Sequence, residues 1–270
     1  MKIALCLFGN VGHQLCQGER KQKKGHDPFE EAFKPKGKGW TNPTLGANAF
    51  KKHVMGGHDV DVFLHSWSVD YKQELLDIYK PVDHEIVVQT QFGSDLAKYG
   101  LVGTDMSKWE MSEFAKKSYD LLLPSRGSAQ AIIDELRELS FRTESRWWSN
   151  KRVLELAKAH EAKHGIEYDF ILVSRFDNVF TTPLPFSDLD PTKFYGSRRF
   201  GRPDENYSYF DYWFVSGSEN MGKFAGLYDN RFNYSIRPTF ACREHVVQTM
   251  GVDAVAFLFK NAKDYLLGTR

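Results

Sequence analysis

The chain has 270 residues, of which 41% are apolar and 26% charged, and its formal net charge is +1. This balance is typical of a globular protein with a sizeable core, and it gives no support to a nucleic-acid-binding or membrane-surface protein. Three cysteines without paired spacing argue against a disulfide framework and a structural zinc site. The N-terminal apolar run ends at Gly9, is too short for a membrane span and lacks a signal-peptide cleavage region. We therefore expect a cytoplasmic protein, of a cell or of a virus- or phage-infected host.

Four apolar runs in the first two thirds of the chain predict buried β-strands. They are "KIALCLF" (2–8), "DVDVFLHSW" (59–67), "HEIVVQT" (84–90) and "DFILVSRF" (169–176). Helical periodicity in "SAQAIIDELRELS" and "SNKRVLELAKAHEAKHG" predicts two helices before the fourth strand, the second capped by Gly165. Strands that alternate with helices predict an α/β fold with a mostly parallel central sheet flanked by helices. We expect the strands around Ile3, Val62 and Ile171 to be adjacent.

The later part of the chain predicts shorter elements. "KFYGSRRF", "YFDYWFVSGS" and "AVAFLFK" are strand-like, whereas "SENMGKFAGLYDN" and "REHVVQTMGV" are helical. No interdomain linker interrupts residues 1–270, which predicts a single domain. Residues 10–45 are rich in lysine, glycine and proline, and we expect either a mobile, solvated insertion or a lid over an anionic ligand.

Candidate ligand-binding residues lie at the ends of three of the predicted strands. They are Gly9 and Asn10 after the first strand, His65 and Ser66 at the second, and Arg175 and Asp177 at the fourth. In open α/β sheets, ligands bind beyond the carboxyl ends of the strands, and Gly9 would let a ligand approach the backbone closely. "GNVG" is not the dinucleotide fingerprint and no P-loop lysine motif occurs, which disfavours a dehydrogenase and a P-loop enzyme.

Each of these side chains also has a structural alternative. Asp177 would hold a divalent cation on a diphosphate, or it would form a salt bridge with Arg175. Arg175 would clamp phosphate oxygens, or it would only pair with a carboxylate. His65 beside Trp67 would lie near a base or sugar, or it would be a structural histidine at a strand end.

Several segments, taken in order, resemble the nucleotide-sugar glycosyltransferases of the GT-A fold, which is Rossmann-like. The segments are "IALCLFGN", "DVFLHSWS", "YKP", "SRWWSNKRVLELA", "YDFILVSRFDNVF", "DYWFVSGSENMGKF" and "REHVVQTMGV". The chain is most similar to the glycosyltransferase-like proteins of bacteria, phages and large viruses, and the likeness spans nearly all of it. The resemblance implies a donor-binding half at about 1–180 and an acceptor-side half at about 181–270.

The resemblance also implies roles on the donor side. The strand that ends in "R-x-D" occupies the place of the D-x-D motif, so that Asp177 matches the acid that holds Mn²⁺ or Mg²⁺ against the diphosphate. Arg175 stands where the first acid usually is, and a guanidinium could itself neutralise diphosphate. Ser149 and Lys151 match the start of a helix near the donor, where helix N-termini favour phosphate; Lys151 would otherwise be a solvated lysine.

On the acceptor side, the resemblance implies a base and a late histidine. Asp211 resembles the acid that precedes a "W-F-x-x-S" strand, and either Asp211 or Glu244 would deprotonate the acceptor hydroxyl. His245 would ligate a metal or cap its helix.

The resulting interpretation is a transferase that moves a hexose or pentose from a nucleoside-diphosphate sugar to a hydroxyl acceptor, namely a glycan, a lipid-linked sugar or a protein. A nucleotidyltransferase is an alternative, although the basic cluster from Arg20 to Lys24 is a poor substitute for its glycine-rich loop. A non-catalytic module that binds sugar or nucleotide is a further alternative. No nucleic-acid partner and no membrane span are expected.

Overall fold

A computed structural model describes residues 1–13, 40–41, 43–90, 92, 96–101, 129–198, 209–258 and 265–267. The strands are β1 (Lys2–Gly9), β2 (Gly12–His13), β3 (Trp40–Thr41), β4 (Asp59–Ser66), β5 (Asp83–Ile86), β6 (Phe170–Arg175), β7 (Asn178–Phe180), β8 (Phe194–Arg198), β9 (Tyr209–Ser216), β10 (Val255–Leu258) and β11 (Tyr265–Leu267). The α-helices are α1 (Pro43–His53), α2 (Lys72–Tyr79), α3 (Ala129–His164), α4 (Ser218–Ala225) and α5 (Pro238–Met250).

One seven-stranded sheet organises the fold, with the strand order β10-β8-β9-β6-β1-β4-β5. Among the described strands of this sheet, only β9 runs antiparallel to its neighbours. Leu5 of β1 pairs with Val62, and Ala4 pairs with Ile171, so the predicted adjacency of these strands is confirmed. The α/β class and the mostly parallel sheet flanked by helices are confirmed as well.

Side chains of β1 alternate between two apolar layers because successive residues of a strand point to opposite faces. Ile3, Leu5 and Leu7 pack in the layer that contains α1 and α2. Ala4 and Cys6 pack in the layer that contains α3, α4 and α5. Both faces of the central strands are therefore covered, which explains why those strands read as continuous apolar runs.

Helix α3 is one continuous helix of 36 residues, so the prediction of two helices was wrong. Buried polar residues interrupt its apolar pattern, and some of them find partners inside the protein. Ser140 donates to Glu144 at 2.9 Å, and Thr143 donates to the Ile236 carbonyl at 2.9 Å. The predicted cap is confirmed: Gly165 has φ +62°, and the next amide bonds back to the Glu161 carbonyl at 3.2 Å, as in a Schellman motif.

Two other segments differ from the sequence prediction. The third strand ends at Ile86 rather than at Thr90, because the chain leaves the sheet there and Val88 is 76% exposed. Helices α1 and α2 were not predicted, and α1 begins inside the segment that was read as irregular. Most of that segment, including the predicted lid or insertion, lies outside the described residues. Among the helices that the structure describes, none combines the length and apolarity that a membrane crossing needs.

Candidate functional site

The carboxyl ends of β1, β4 and β6 bring four predicted site residues to one side of the sheet, namely Gly9, His65, Ser66 and Arg175. Gly9 pairs with Ser66, and Phe8 lies opposite both His65 and Arg175. The chain proceeds from β1 to β4 and β5 on one side, whereas β6 lies on the other side. The boundary between β1 and β6 is therefore a topological switch point, the place where open α/β sheets bind ligands.

Gly9 has φ +113°, a conformation that other residues adopt at a cost. Among the described atoms, none lies within 4 Å of the position that a Cβ of residue 9 would occupy. The Ser66 hydroxyl donates to the Gly9 carbonyl at 2.8 Å and accepts from the Ser68 amide at 3.1 Å. Ser66 thus holds the chain after β1 in place. Asn10 is half-buried beside this turn.

Arg175 and Asp177 form a buried, bidentate ion pair at the end of β6. Arg175 Nε donates to Asp177 Oδ1 at 2.7 Å, and Nη2 donates to Oδ2. The guanidinium carbon also lies 5.3 Å from the centroid of the Tyr212 ring, within cation–π range. The structural alternative that the sequence left open for this pair is therefore present in the structure, because both carboxylate oxygens already accept from Arg175.

The donor atoms implied for a metal do not fit a divalent cation. Both Asp177 oxygens are engaged by Arg175. His245 Nε2 donates to the Lys223 carbonyl at 2.9 Å, and Nδ1 accepts from the Tyr234 hydroxyl at 3.0 Å, so the metal role predicted for His245 finds no free nitrogen. Across the described ranges, no three His, Cys, Asp or Glu side chains are grouped to hold a metal ion.

Ser149 and Lys151 do not lie at the start of a helix, and this prediction was wrong. Helix α3 begins at Ala129, so the amides near Ser149 belong to the helix interior and are not the unpaired groups that attract phosphate. Lys151 Nζ donates to both oxygens of Asp229, at 2.7 and 2.8 Å. Ser149 is buried in the interior of α3.

The two candidate bases have different surroundings. Asp211 is buried on β9, the neighbour of β6, and forms an ion pair with Arg146 of α3. Glu244 lies on α5, and its Oε2 accepts from the Ser235 amide at 2.7 Å. Burial raises the pKa of Glu244.

Sequence reasoning missed two side chains that shape this edge, Arg146 and Tyr212. Arg146 lies in "SRWWSNK", where a helical arginine is indistinguishable from a solvated one, and its partner Asp211 is far along the chain. Tyr212 lies in the aromatic strand β9 and contacts Arg175 only in the folded protein. No local pattern would have found either contact.

Helix α1 packs against the turn between Arg175 and Asp177. A Cβ at Gly46 would lie 2.2 Å from the Phe176 carbonyl oxygen, which is far inside van der Waals contact. We expect Gly46→Ala to lower the free energy of unfolding by about 1–3 kcal/mol, because the clash is with backbone. Urea denaturation measures this change.

Gly222→Ala is the matched control, since it also lies in a helix and its Cβ would meet only Lys158 Cε at 4.0 Å. There we expect a gain of up to about 1 kcal/mol from helix propensity. If Gly46→Ala also stabilised the protein, α1 would not be in close contact with the backbone of this turn.

Fold and site together describe an α/β protein with a mostly parallel sheet, compatible with a Rossmann-like fold, and with polar residues gathered at its switch point. Comparison with protein-family models and with curated proteins finds no match.

Proposed function

We propose that the chain is a glycosyltransferase that takes a sugar from a nucleoside-diphosphate donor and transfers it to a hydroxyl acceptor. The observation that carries the proposal is the position of Gly9 and of the Arg175–Asp177 pair on either side of the switch point. Open backbone beside a strand end and a cation opposite it suit a diphosphate. The sequence resemblance to GT-A glycosyltransferases supports the same assignment.

Arg175 is the group that we assign to the diphosphate. Negative charge develops on the departing diphosphate during glycosyl transfer, and a fixed guanidinium stabilises that charge. Asp177 binds the Nε and Nη2 side of the guanidinium, so it positions Arg175 and leaves Nη1 for a phosphate oxygen. No step requires a metal in this arrangement.

Asp211 is the candidate base for an inverting transfer, in which a carboxylate accepts the proton of the attacking hydroxyl. It lies on the strand next to β6, whereas Glu244 lies on α5. The carboxylate of Asp211 is paired with Arg146, and that contact has to loosen before the carboxylate receives the proton of the acceptor hydroxyl.

Calorimetric titration with nucleoside diphosphates, with and without EDTA, tests the assignment of charge to Arg175. We expect at least one diphosphate to bind, and we expect chelation to change its Kd by less than about threefold. Loss of a metal bridge worth several kcal/mol would instead weaken binding by more than about 100-fold. That second outcome would restore the metal role of Asp177.

Turnover separates the proposed activity from its alternatives. A glycosyltransferase releases nucleoside diphosphate from a nucleotide sugar, faster when an acceptor is present. Release of pyrophosphate from a nucleoside triphosphate would identify a nucleotidyltransferase instead. Tight binding of nucleotide sugars without release of product, across a panel of acceptors, would identify a non-catalytic binding module.

A further inference from the structure

Three uncharged polar side chains, two at the carboxyl end of β4 and one on α3, are buried without hydrogen-bond partners. His65 is 0% exposed, and neither ring nitrogen has a partner within the part of the chain that the structure describes. The same holds for Nε1 of Trp67 and for the hydroxyl of Ser149, which is 1% exposed. Buried polar groups are normally paired, so several unpaired groups in one place indicate that something absent from the chain itself completes them.

The strand and the helix that carry these groups pack against each other. The His65 and Trp67 rings are in edge-to-face contact with centroids 4.7 Å apart. Glu85 of β5 lies opposite His65 in the sheet and accepts from Arg152 Nε of α3 at 2.8 Å. This contact brings the middle of α3 to the level of His65.

A second contact fixes the orientation of that helix. Gln89 Nε2 donates to the Ser145 hydroxyl at 2.9 Å, beyond the end of β5. Residues 145, 149 and 152 follow one another at spacings of four and three, so they share one face of the helix. Ser149 therefore lies between two points where α3 touches the strand ends, on the face directed toward them.

Aromatic rings extend the cluster outward from Trp67. The centroid of Phe92 lies 6.0 Å from that of Trp67 and 6.5 Å from that of Tyr228. Trp148 in turn contacts Tyr228 at 4.9 Å. Flat apolar walls beside a few hydrogen-bonding groups are typical of sites for planar ligands.

The hydrogen-bonding groups carry no charge at neutral pH. Burial and the positive charge of Arg152 lower the pKa of His65 to about 4, so its ring has one donor and one acceptor nitrogen. Trp67 offers a donor, and Ser149 offers both a donor and an acceptor. Such a set matches the edge of a neutral heteroaromatic ring and not a phosphate, which would require a cation.

We propose that His65, Trp67 and Ser149 form a pocket that hydrogen-bonds the nucleobase of the donor. This inference rests on the proposed function for the identity of its ligand and adds the residues that select the base. Ser149 thereby keeps a donor-side role, through the inward face of α3 and not through a helix N-terminus.

Nucleosides without phosphate are the probes, with inorganic diphosphate as the separate anionic probe. Calorimetry on the wild type should detect binding of at least one of uridine, cytidine, adenosine and guanosine. Ser149→Ala and Trp67→Phe should each raise the Kd for that nucleoside by about tenfold, which corresponds to the loss of one hydrogen bond at a buried site. Neither variant should change the affinity for inorganic diphosphate.

Ser140→Ala is the matched control, because Ser140 is a buried serine of the same helix whose hydroxyl is already bonded to Glu144. We expect it to lower the unfolding midpoint in urea and to leave nucleoside affinity unchanged. Ser149→Ala should be no less stable than the wild type in the absence of ligand, since its hydroxyl has no internal partner to lose.

The outcomes distinguish this inference from the proposed function. If no nucleoside binds the wild type, if both variants keep full nucleoside affinity, or if Ser149→Ala is as destabilised as Ser140→Ala, the pocket is overturned. Nucleoside binding that depends on Ser149 without any sugar transfer would retain the pocket and reject the glycosyltransferase. Sugar transfer by the wild type, together with unchanged nucleoside binding in the variants, would support the glycosyltransferase and reject the pocket.

Discussion

Replacing Asp177 with asparagine is expected to lower the free energy of unfolding by about 3–5 kcal/mol, because it leaves Arg175 as a buried charge without its counter-ion. Both members of the pair are buried, and both carboxylate oxygens accept from the guanidinium. Amide oxygen and nitrogen cannot reproduce that bidentate acceptor. Urea denaturation, with the slope compared between variant and wild type, measures the loss.

Asp229→Asn is the control for removal of a carboxylate. Asp229 also accepts from a cation, Lys151, but its side chain is 54% exposed. Exposed ion pairs contribute about 0–1 kcal/mol, so this variant should remain close to the wild type. Equal stability of the two variants would mean that the guanidinium of Arg175 can reach water or another acceptor when Asp177 is lost.

The double variant Arg175→Met/Asp177→Leu is expected to keep the fold and to bind nucleoside diphosphate more weakly. Replacement of a buried ion pair by apolar residues of similar size is often neutral or stabilising by about 1–4 kcal/mol. Removal of a charge-assisted contact to phosphate should nevertheless weaken nucleoside diphosphate binding by about 10- to 100-fold. Urea denaturation and calorimetric titration of the same preparation give both quantities.

This variant separates the two roles of the pair in a way that single substitutions cannot. Arg175→Ala or Asp177→Asn alone would lower binding partly through lost stability. If the double variant is stable and binds nucleoside diphosphate as the wild type does, the pair only holds the turn together, and the diphosphate site lies elsewhere.

The central strands were predictable because burial on both faces requires a continuous apolar run in the sequence. Residues of β1 and β6 must be apolar whichever layer they enter, and such runs are visible without any knowledge of partners. The adjacency of β1, β4 and β6 followed from the usual behaviour of strands separated by helices. Gly9, His65 and Arg175 were found for the same reason, since each marks the end of such a strand.

Helix α3 was not predictable in its extent because its inward face is partly polar. Serine and asparagine are common at helix starts, so Ser149 and Asn150 resemble a cap when only their neighbours are known. In the fold, Asn150 Nδ2 donates to the Arg146 carbonyl at 2.9 Å, within one continuous helix. Tertiary burial of this face overrides the local preference.

The pairing of Arg175 with Asp177 could be named as an alternative but not chosen from the sequence. Residues two apart can bond each other or a common ligand, and the choice depends on how the backbone turns at Phe176. Helix α1 fixes that turn through the close approach of Gly46, and α1 itself was not predicted. The contact that decides the geometry therefore comes from a helix that no local pattern predicted.

The antiparallel strand β9 joins residues from both halves of this chain in one sheet. A fragment that stopped at residue 180 would contain β6 but not β9, which pairs with β6 over Ile171 to Ser174 in the whole protein. The unpaired amide and carbonyl groups of this apolar strand would be exposed and could pair with strands of other chains. Separate expression of residues 1–180 should therefore give aggregates, and co-expression with residues 181–270 should restore solubility by returning β9 to its place.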